Sequence, residues 1–188
     1  MTTNLASVLR RSAASFPAKT AVVASDTELD YATVDTLARM FAGALRDLGV
    51  RPGEHVALVL PNVPQFTVAY FGCHYAGNPV VPLNVLLTAD ELAYHLADSE
   101  SVAVVAWDLF LPAVQEAAAR TPGVRRILVA TADLGDLSAP AGTDNLTAVV
   151  AAATPVDVPH PTSPDDTAVV LYTSGTTGRA KGAELTHA

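Results

Sequence analysis

The chain has 188 residues, enough for one hydrophobic core of ordinary size, or for one domain and part of another. Hydrophobic residues make up 50% of it and charged residues 16%, which excludes an intrinsically disordered chain. The formal net charge is −8, and lysines and arginines form no cluster, so we expect no nucleic-acid partner.

Cysteine content and hydropathy predict a soluble, cytoplasmic protein. Cys73 is the single cysteine and cannot form an intramolecular disulfide, which favours a reducing compartment. Residues 1–20 lack the apolar region of a secretory signal. The most apolar stretch, 56–85, is interrupted by prolines, so we predict no transmembrane segment.

The first predicted elements are a β-hairpin and a helix. Residues 20–24 and 28–31 flank a turn, which predicts the hairpin. Apolar residues at helical spacing predict a helix over 31–48, with Gly49 in its C-terminal cap. Thr88 and Glu91 have the spacing of a capping box and predict the start of a later helix. The remaining predictions, in chain order, are a strand at 55–60, a helix at 64–76, a strand at 79–83, a helix at 88–98, a strand at 101–107, a helix at 109–120 and a strand at 126–131.

Continuous apolar strands that alternate with amphipathic helices are typical of a parallel sheet covered by helices on both faces. We therefore predict an α/β fold. Residues 131–166, rich in proline and interrupted by a short helix near 145–152, are predicted to be a surface connection. The resulting division is an α/β subdomain over 1–166 and the start of a second subdomain over 167–188.

The functional signal lies at the C-terminal end, where a buried strand at 168–172 leads into a glycine-rich segment. Glycines allow a backbone to approach a ligand closely, and successive N–H groups in such a loop suit an anion. Hydroxyls and the Lys181 ammonium add donors for phosphate oxygens. The predicted triphosphate-binding residues are Thr173, Ser174, Gly175, Thr176, Thr177, Gly178 and Lys181. The spacing is not that of a Walker A loop, and an alternative interpretation is a flexible turn between two strands.

Residues 172–187, YTSGTTGRAKGAELTH, resemble the phosphate-loop signature of the adenylate-forming superfamily, which includes acyl-CoA synthetases. The likeness extends upstream through residues 48–57, 60–62 and 76–84. Within the last of these, Asn84 is the residue typical of acyl-CoA synthetases. One departure is Ala180, where the family usually has proline. The chain thus resembles the N-terminal part of the large domain of a medium- or long-chain fatty-acyl-CoA synthetase.

The resemblance implies a two-step reaction that uses ATP, Mg²⁺ and coenzyme A. A carboxylic acid would be converted to an acyl-adenylate and then to an acyl-CoA thioester, while residues 173–181 hold the β- and γ-phosphates. Thr176 or Thr177 is a candidate contact to Mg²⁺. In the family the adenine pocket, the acidic metal ligand and the catalytic lysine follow later in the chain. We therefore assign no catalytic residue and no metal ligand here, and expect the 188 residues alone to be inactive.

Several alternatives remain open from the sequence. They are a ligase with an acceptor other than coenzyme A, a non-enzymatic module that retains the loop, and a generic NTPase-like domain. Small-molecule substrates are the expected partners, together with a possible homodimer or self-association of the fragment. The five dispersed histidines predict no structural metal site. His187 is interpreted as a strand-end residue with a packing or hydrogen-bonding role.

Overall fold

The computed structural model describes residues 4–25, 27–173 and 179–188, and within them the chain forms six helices and nine strands. The helices are α1 (Ala6–Ser15), α2 (Tyr31–Asp47), α3 (Pro64–Ala76), α4 (Ala89–Asp98), α5 (Leu111–Ala119) and α6 (Leu146–Ala152). The strands are β1 (Thr20–Ala24), β2 (Thr27–Asp30), β3 (Val56–Val59), β4 (Val80–Pro82), β5 (Ala103–Trp107), β6 (Arg126–Ala130), β7 (Asp144–Asn145), β8 (Thr167–Thr173) and β9 (Lys181–Thr186). A short 3₁₀ turn precedes α5.

The main sheet has seven strands in the order β7-β6-β5-β3-β4-β8-β9. From β7 to β8 all neighbours pair in parallel, as predicted. β9 departs from this pattern and pairs antiparallel with β8. Only residues 174–180 connect the two strands, and a parallel crossover needs a dozen residues or more. The antiparallel edge strand β9 is thus an addition to the predicted parallel sheet.

Helices cover both faces of the sheet, and β3 shows why its sequence is continuously apolar. All four of its residues are buried. Val56 and Leu58 face the core formed with α2, α3 and α6, while Ala57 and Val59 face the core formed with α4 and α5. Period-two alternation thus places apolar side chains in two separate cores. The α/β prediction is confirmed.

Helix termini follow the local sequence signals. The Asp30 carboxylate accepts a hydrogen bond from the Thr33 N–H and caps α2, and Gly49 adopts φ of +81° just beyond that helix. At α4, the Thr88 hydroxyl accepts from the Glu91 N–H while the Glu91 carboxylate accepts from the Thr88 N–H, so the capping box is confirmed. None of the helices within the described residues combines the length and hydropathy needed to cross a bilayer.

Candidate phosphate-binding site

The β8–β9 hairpin brings the two ends of the glycine-rich segment together. Thr173 and Lys181 are register partners at the loop end of the hairpin, and both are exposed. The predicted site residues Ser174, Gly175, Thr176, Thr177 and Gly178 lie outside the described residues. Of the seven predicted phosphate-binding residues, the structure therefore places two, and they lie opposite each other.

The loop end of the hairpin lies at the carboxyl end of the parallel strand β8. β8 runs parallel to β4, so Thr173 lies at the end of the sheet where α/β proteins bind their ligands. The Lys181 side chain forms no salt bridge with any of the residues that the structure describes. Its charge is therefore not neutralised within that part of the chain.

Gly182 allows side chains of β8 to pack closely against β9 next to Lys181. It lies opposite Tyr172, and a Cβ atom at Gly182 would approach Val170 Cγ1 to 2.9 Å and the Tyr172 ring carbon Cζ to 3.3 Å. The absence of a side chain leaves room for the Tyr172 ring beside Gly182. This close contact is a structural reason for glycine directly after Lys181.

Helix α4 contacts β8 and the two residues that directly precede β9. On the β8 side, the Tyr172 hydroxyl donates to Asp98 Oδ2 at 2.7 Å, and the His95 ring meets the Tyr172 ring edge-on with centroids 4.3 Å apart. Burial raises the pKa of Tyr172, and the hydrogen bond to Asp98 raises it further, so the hydroxyl remains a neutral donor.

Tyr94 of α4 contacts Arg179 and Ala180, the two residues that directly precede β9. Its hydroxyl donates to the Ala180 carbonyl oxygen at 2.9 Å, and the Arg179 Cζ atom lies 5.6 Å from the centroid of its ring. The guanidinium therefore stacks on an aromatic face, which holds a second positive charge close to Lys181. Sequence reasoning missed Tyr94 and Asp98 because they precede their hydrogen-bond partners by 86 and 74 residues.

Two cavities lie at the other end of the sheet. The larger, about 590 Å³, is bordered by residues that precede β3, β5 and β6, and the second, about 430 Å³, by residues that precede β3, β4 and β8. Both therefore open at the amino ends of the parallel strands, away from Thr173. Neither cavity belongs to the candidate site.

His187 lies just after β9, at the opposite end of this strand from Lys181. It is buried, its Nδ1 atom accepts a hydrogen bond from the Leu5 N–H at 3.2 Å, and its ring packs edge-on against His74. The contacts agree with the predicted packing and hydrogen-bonding role.

The candidate Mg²⁺ contacts, Thr176 and Thr177, lie outside the described residues. Across 4–25, 27–173 and 179–188, no three His, Cys, Asp or Glu side chains come close enough to hold a metal ion. The contact of Thr176 or Thr177 to Mg²⁺ therefore stays a prediction.

A model of the family described as "AMP-binding enzyme" matches residues 9–188. Two curated relatives illustrate the likeness. One is a ligase of Rhodococcus jostii (strain RHA1) that joins CoA to a 7a-methyl-1,5-dioxo-octahydro-1H-inden-4-yl propanoyl group; it is 36% identical over 98% of this chain and 38% of the relative. The other is a long-chain-fatty-acid–CoA ligase of Mycobacterium tuberculosis (strain ATCC 25618 / H37Rv), 31% identical over 98% of this chain and 35% of the relative.

Solved structures show the same likeness in three dimensions. A benzoate CoA ligase from Burkholderia xenovorans LB400 superposes with a TM-score of 0.84 at 30% identity, over 98% of this chain and 34% of that one. An anthranilate CoA ligase in complex with anthranoyl-AMP superposes with a TM-score of 0.91 at 26% identity, over 98% and 35%. The chain therefore spans little more than a third of the length of each of these four proteins.

Proposed function

Because the chain belongs to the family of AMP-binding enzymes, we propose that it supplies the triphosphate-binding segment of an ATP-dependent acid–CoA ligase. The observation that carries the proposal is the β8–β9 hairpin. It holds Thr173 and Lys181 opposite each other at the carboxyl end of the sheet, at the two ends of a segment rich in glycine and hydroxyl groups. The proposed binding residues are Thr173, Ser174, Gly175, Thr176, Thr177, Gly178 and Lys181.

In the proposed reaction, a carboxylate oxygen of the acid attacks the α-phosphorus of ATP. The bond between that phosphorus and the bridging oxygen breaks, so pyrophosphate leaves and an acyl-adenylate forms. Negative charge grows on the departing pyrophosphate, where the Lys181 ammonium and the Thr173 hydroxyl supply donors. The thiolate of coenzyme A then attacks the acyl carbonyl and AMP leaves with the bonding electron pair, which gives the thioester.

The acid itself is a finer proposal. We propose a medium- or long-chain fatty acid, supported by the upstream likeness to fatty-acyl-CoA synthetases and by the M. tuberculosis relative. Other relatives act on ring-containing acids, among them benzoate and the bicyclic propanoyl compound. A substrate panel therefore needs aromatic and alicyclic acids beside fatty acids of several lengths.

The organisation and setting of the whole protein belong to the same proposal. Residues 1–166 would form one subdomain, and residues 167–188 would start the next. A cytoplasmic location is proposed from the single, buried cysteine.

Lys181 provides the test. We expect Lys181→Ala in the complete gene product to lower carboxylate-dependent ATP–pyrophosphate exchange by about ten- to a hundredfold, because a charge-assisted bond to phosphate contributes roughly 1.5–3 kcal/mol. Lys19→Ala is the matched control, since Lys19 is the other lysine of the chain and precedes β1.

The outcome separates the alternatives. Unchanged exchange in Lys181→Ala would remove Lys181 from the site. ATP hydrolysis without any dependence on a carboxylic acid would favour an NTPase-like domain. Acyl-adenylate formation without thioester formation would favour an acceptor other than coenzyme A.

A further inference from the structure

We infer that helix α4 is the positioning element of the phosphate-binding segment, and that Tyr94 and Asp98 are its positioning residues. The inference rests on the proposed function of the hairpin and adds two residues that do not themselves touch a phosphate in this scheme. One helix turn, Tyr94–Asp98, bonds to Tyr172 in β8 and to Ala180, the residue directly before β9.

Tyr94 fixes the strand that follows the segment. The carbonyl that accepts its hydrogen bond belongs to Ala180, and the peptide plane from Ala180 leads directly into Lys181. Restraining that carbonyl restrains the start of β9 and hence the origin of the Lys181 side chain. The same tyrosine ring lies beneath the Arg179 guanidinium, so a single side chain orders both residues before Lys181.

Asp98 fixes the strand that precedes the segment. Its carboxylate accepts from the Tyr172 hydroxyl at 2.7 Å, and Tyr172 is the direct neighbour of Thr173. The bond has a charged acceptor, which makes it stronger than a neutral hydrogen bond. Tyr172 is also held from the other side, because its ring lies against Gly182 and His95.

Helix α4 is rigid enough to serve as this anchor. Its N-terminus is closed by the Thr88–Glu91 capping box, and Leu92 and Leu96 are buried in the core shared with α5. An ion pair between Asp90 and Arg120 adds a link to the end of α5. Two anchored points on one rigid helix keep the ends of the segment at a fixed separation, which lowers the ordering cost when a triphosphate binds.

A positioning role and a purely structural role of Tyr94 predict different measurements. If Tyr94 only stabilised the fold, removing its hydroxyl would lower Tm and leave the affinity of folded molecules for ATP unchanged. If it positions the segment, the KM for ATP rises while the KM for the carboxylic acid and the Tm stay close to their original values.

The experiment is Tyr94→Phe in the complete gene product, assayed by ATP–pyrophosphate exchange. We expect the KM for ATP to rise about three- to tenfold, the effect of one lost hydrogen bond, with an unchanged KM for the acid. Tyr75→Phe is the matched control. Its hydroxyl donates to Asp35 on α2, on the opposite face of the sheet, and its loss is expected to leave the KM for ATP unchanged.

Variants of Asp98 provide an independent test, in which a conservative substitution is expected to restore the affinity for ATP. Asp98→Ala removes the acceptor for Tyr172 and is expected to raise the KM for ATP by about tenfold, whereas Asp98→Asn retains an acceptor oxygen and is expected to restore most of the affinity. Equal effects of Ala and Asn, or an unchanged KM for ATP in Tyr94→Phe, would overturn the positioning role. A wild-type protein without any carboxylate-dependent exchange would instead overturn the proposed function, so the two failures are distinguishable.

Discussion

At the scale of single residues, His74 is the most unusual side chain outside the candidate site. It is 1% exposed, and neither ring nitrogen has a hydrogen-bond partner among the described residues. Its neighbours are the aromatic ring of Tyr70 and the ring of His187. Burial, together with the nearby His187, lowers the pKa of His74 to about 3. The protein therefore folds around a neutral imidazole.

This burial predicts an acid-sensitive stability. In the unfolded chain His74 binds a proton below about pH 6.5, whereas in the folded chain it remains neutral down to about pH 3. The unfolded state thus holds more protons in that window, and the free energy of unfolding falls as the pH decreases from 6.5 towards 3. The limiting slope is about 1.4 kcal/mol per pH unit for one group. Urea denaturation at several pH values measures it.

His74→Met is the comparison for that experiment, because it replaces the ring with an apolar side chain that cannot titrate. We expect the variant to have a flatter pH dependence than the original chain over the same window. If the slopes of the two proteins coincide, groups other than His74 cause the acid sensitivity.

At the scale of elements, the helices and strands with strong local signals were predictable and those with weak signals were not. The strands β3, β5 and β6 are continuously apolar, and α2 and α4 have cap residues as well as helical spacing. Helix α1 was missed because it buries only Ala6 and Leu9 and has no side-chain cap. The two-residue strand β7 is too short to give a pattern.

The candidate site divides in the same way. Thr173 and Lys181 could be predicted because their role depends on a local motif within one hairpin. Tyr94 and Asp98 could not, since a tyrosine and an aspartate in an amphipathic helix carry no sign of what they will contact. Only the packing of α4 against Tyr172 and Ala180 brings them to the ends of the segment.

The N-terminus of α4 offers a prediction at the element scale. Thr88→Ala removes the hydroxyl that accepts from Glu91 N–H and leaves one helix donor without this partner. We expect a loss of about 1 kcal/mol in the free energy of unfolding, or about 2–4 °C in Tm, measured by thermal denaturation.

Thr36→Ala is the control for this change. The exposed Thr36 hydroxyl donates back to the Ala32 carbonyl within α2, where alanine is at least as good a helix former. An equal loss of stability in both variants would mean that the capping box contributes nothing of its own.

At the scale of the whole molecule, the edge strand β9 leaves apolar surface uncovered. All six of its residues are exposed, and Leu171 and Leu185 remain 40% and 46% exposed. Leu171 is paired with Ala183 and Val169 with Leu185, so these side chains share one face of the hairpin. An exposed strand edge beside an apolar patch is a template for pairing with another chain.

We therefore expect the 188-residue chain to associate in solution in a concentration-dependent manner, as measured by light scattering. Leu185→Lys introduces a charge on the patch and should shift the chain towards the monomer. Leu86→Lys is the control, because Leu86 is 80% exposed and lies in the turn before α4. A monodisperse monomer at all concentrations would contradict the prediction.

The pairing of β8 with β4 also has a consequence for synthesis on the ribosome. The strands β3 to β6 and their helices are synthesised before β8. One edge of β4 therefore has no strand partner while the proline-rich connection is translated. β4 is a poor partner for non-native strand pairing during this time. It has only three residues, and the last is Pro82, which lacks the N–H needed to donate a hydrogen bond to another strand. The brevity of this central strand thus protects the nascent chain at the place where its sheet stays open longest.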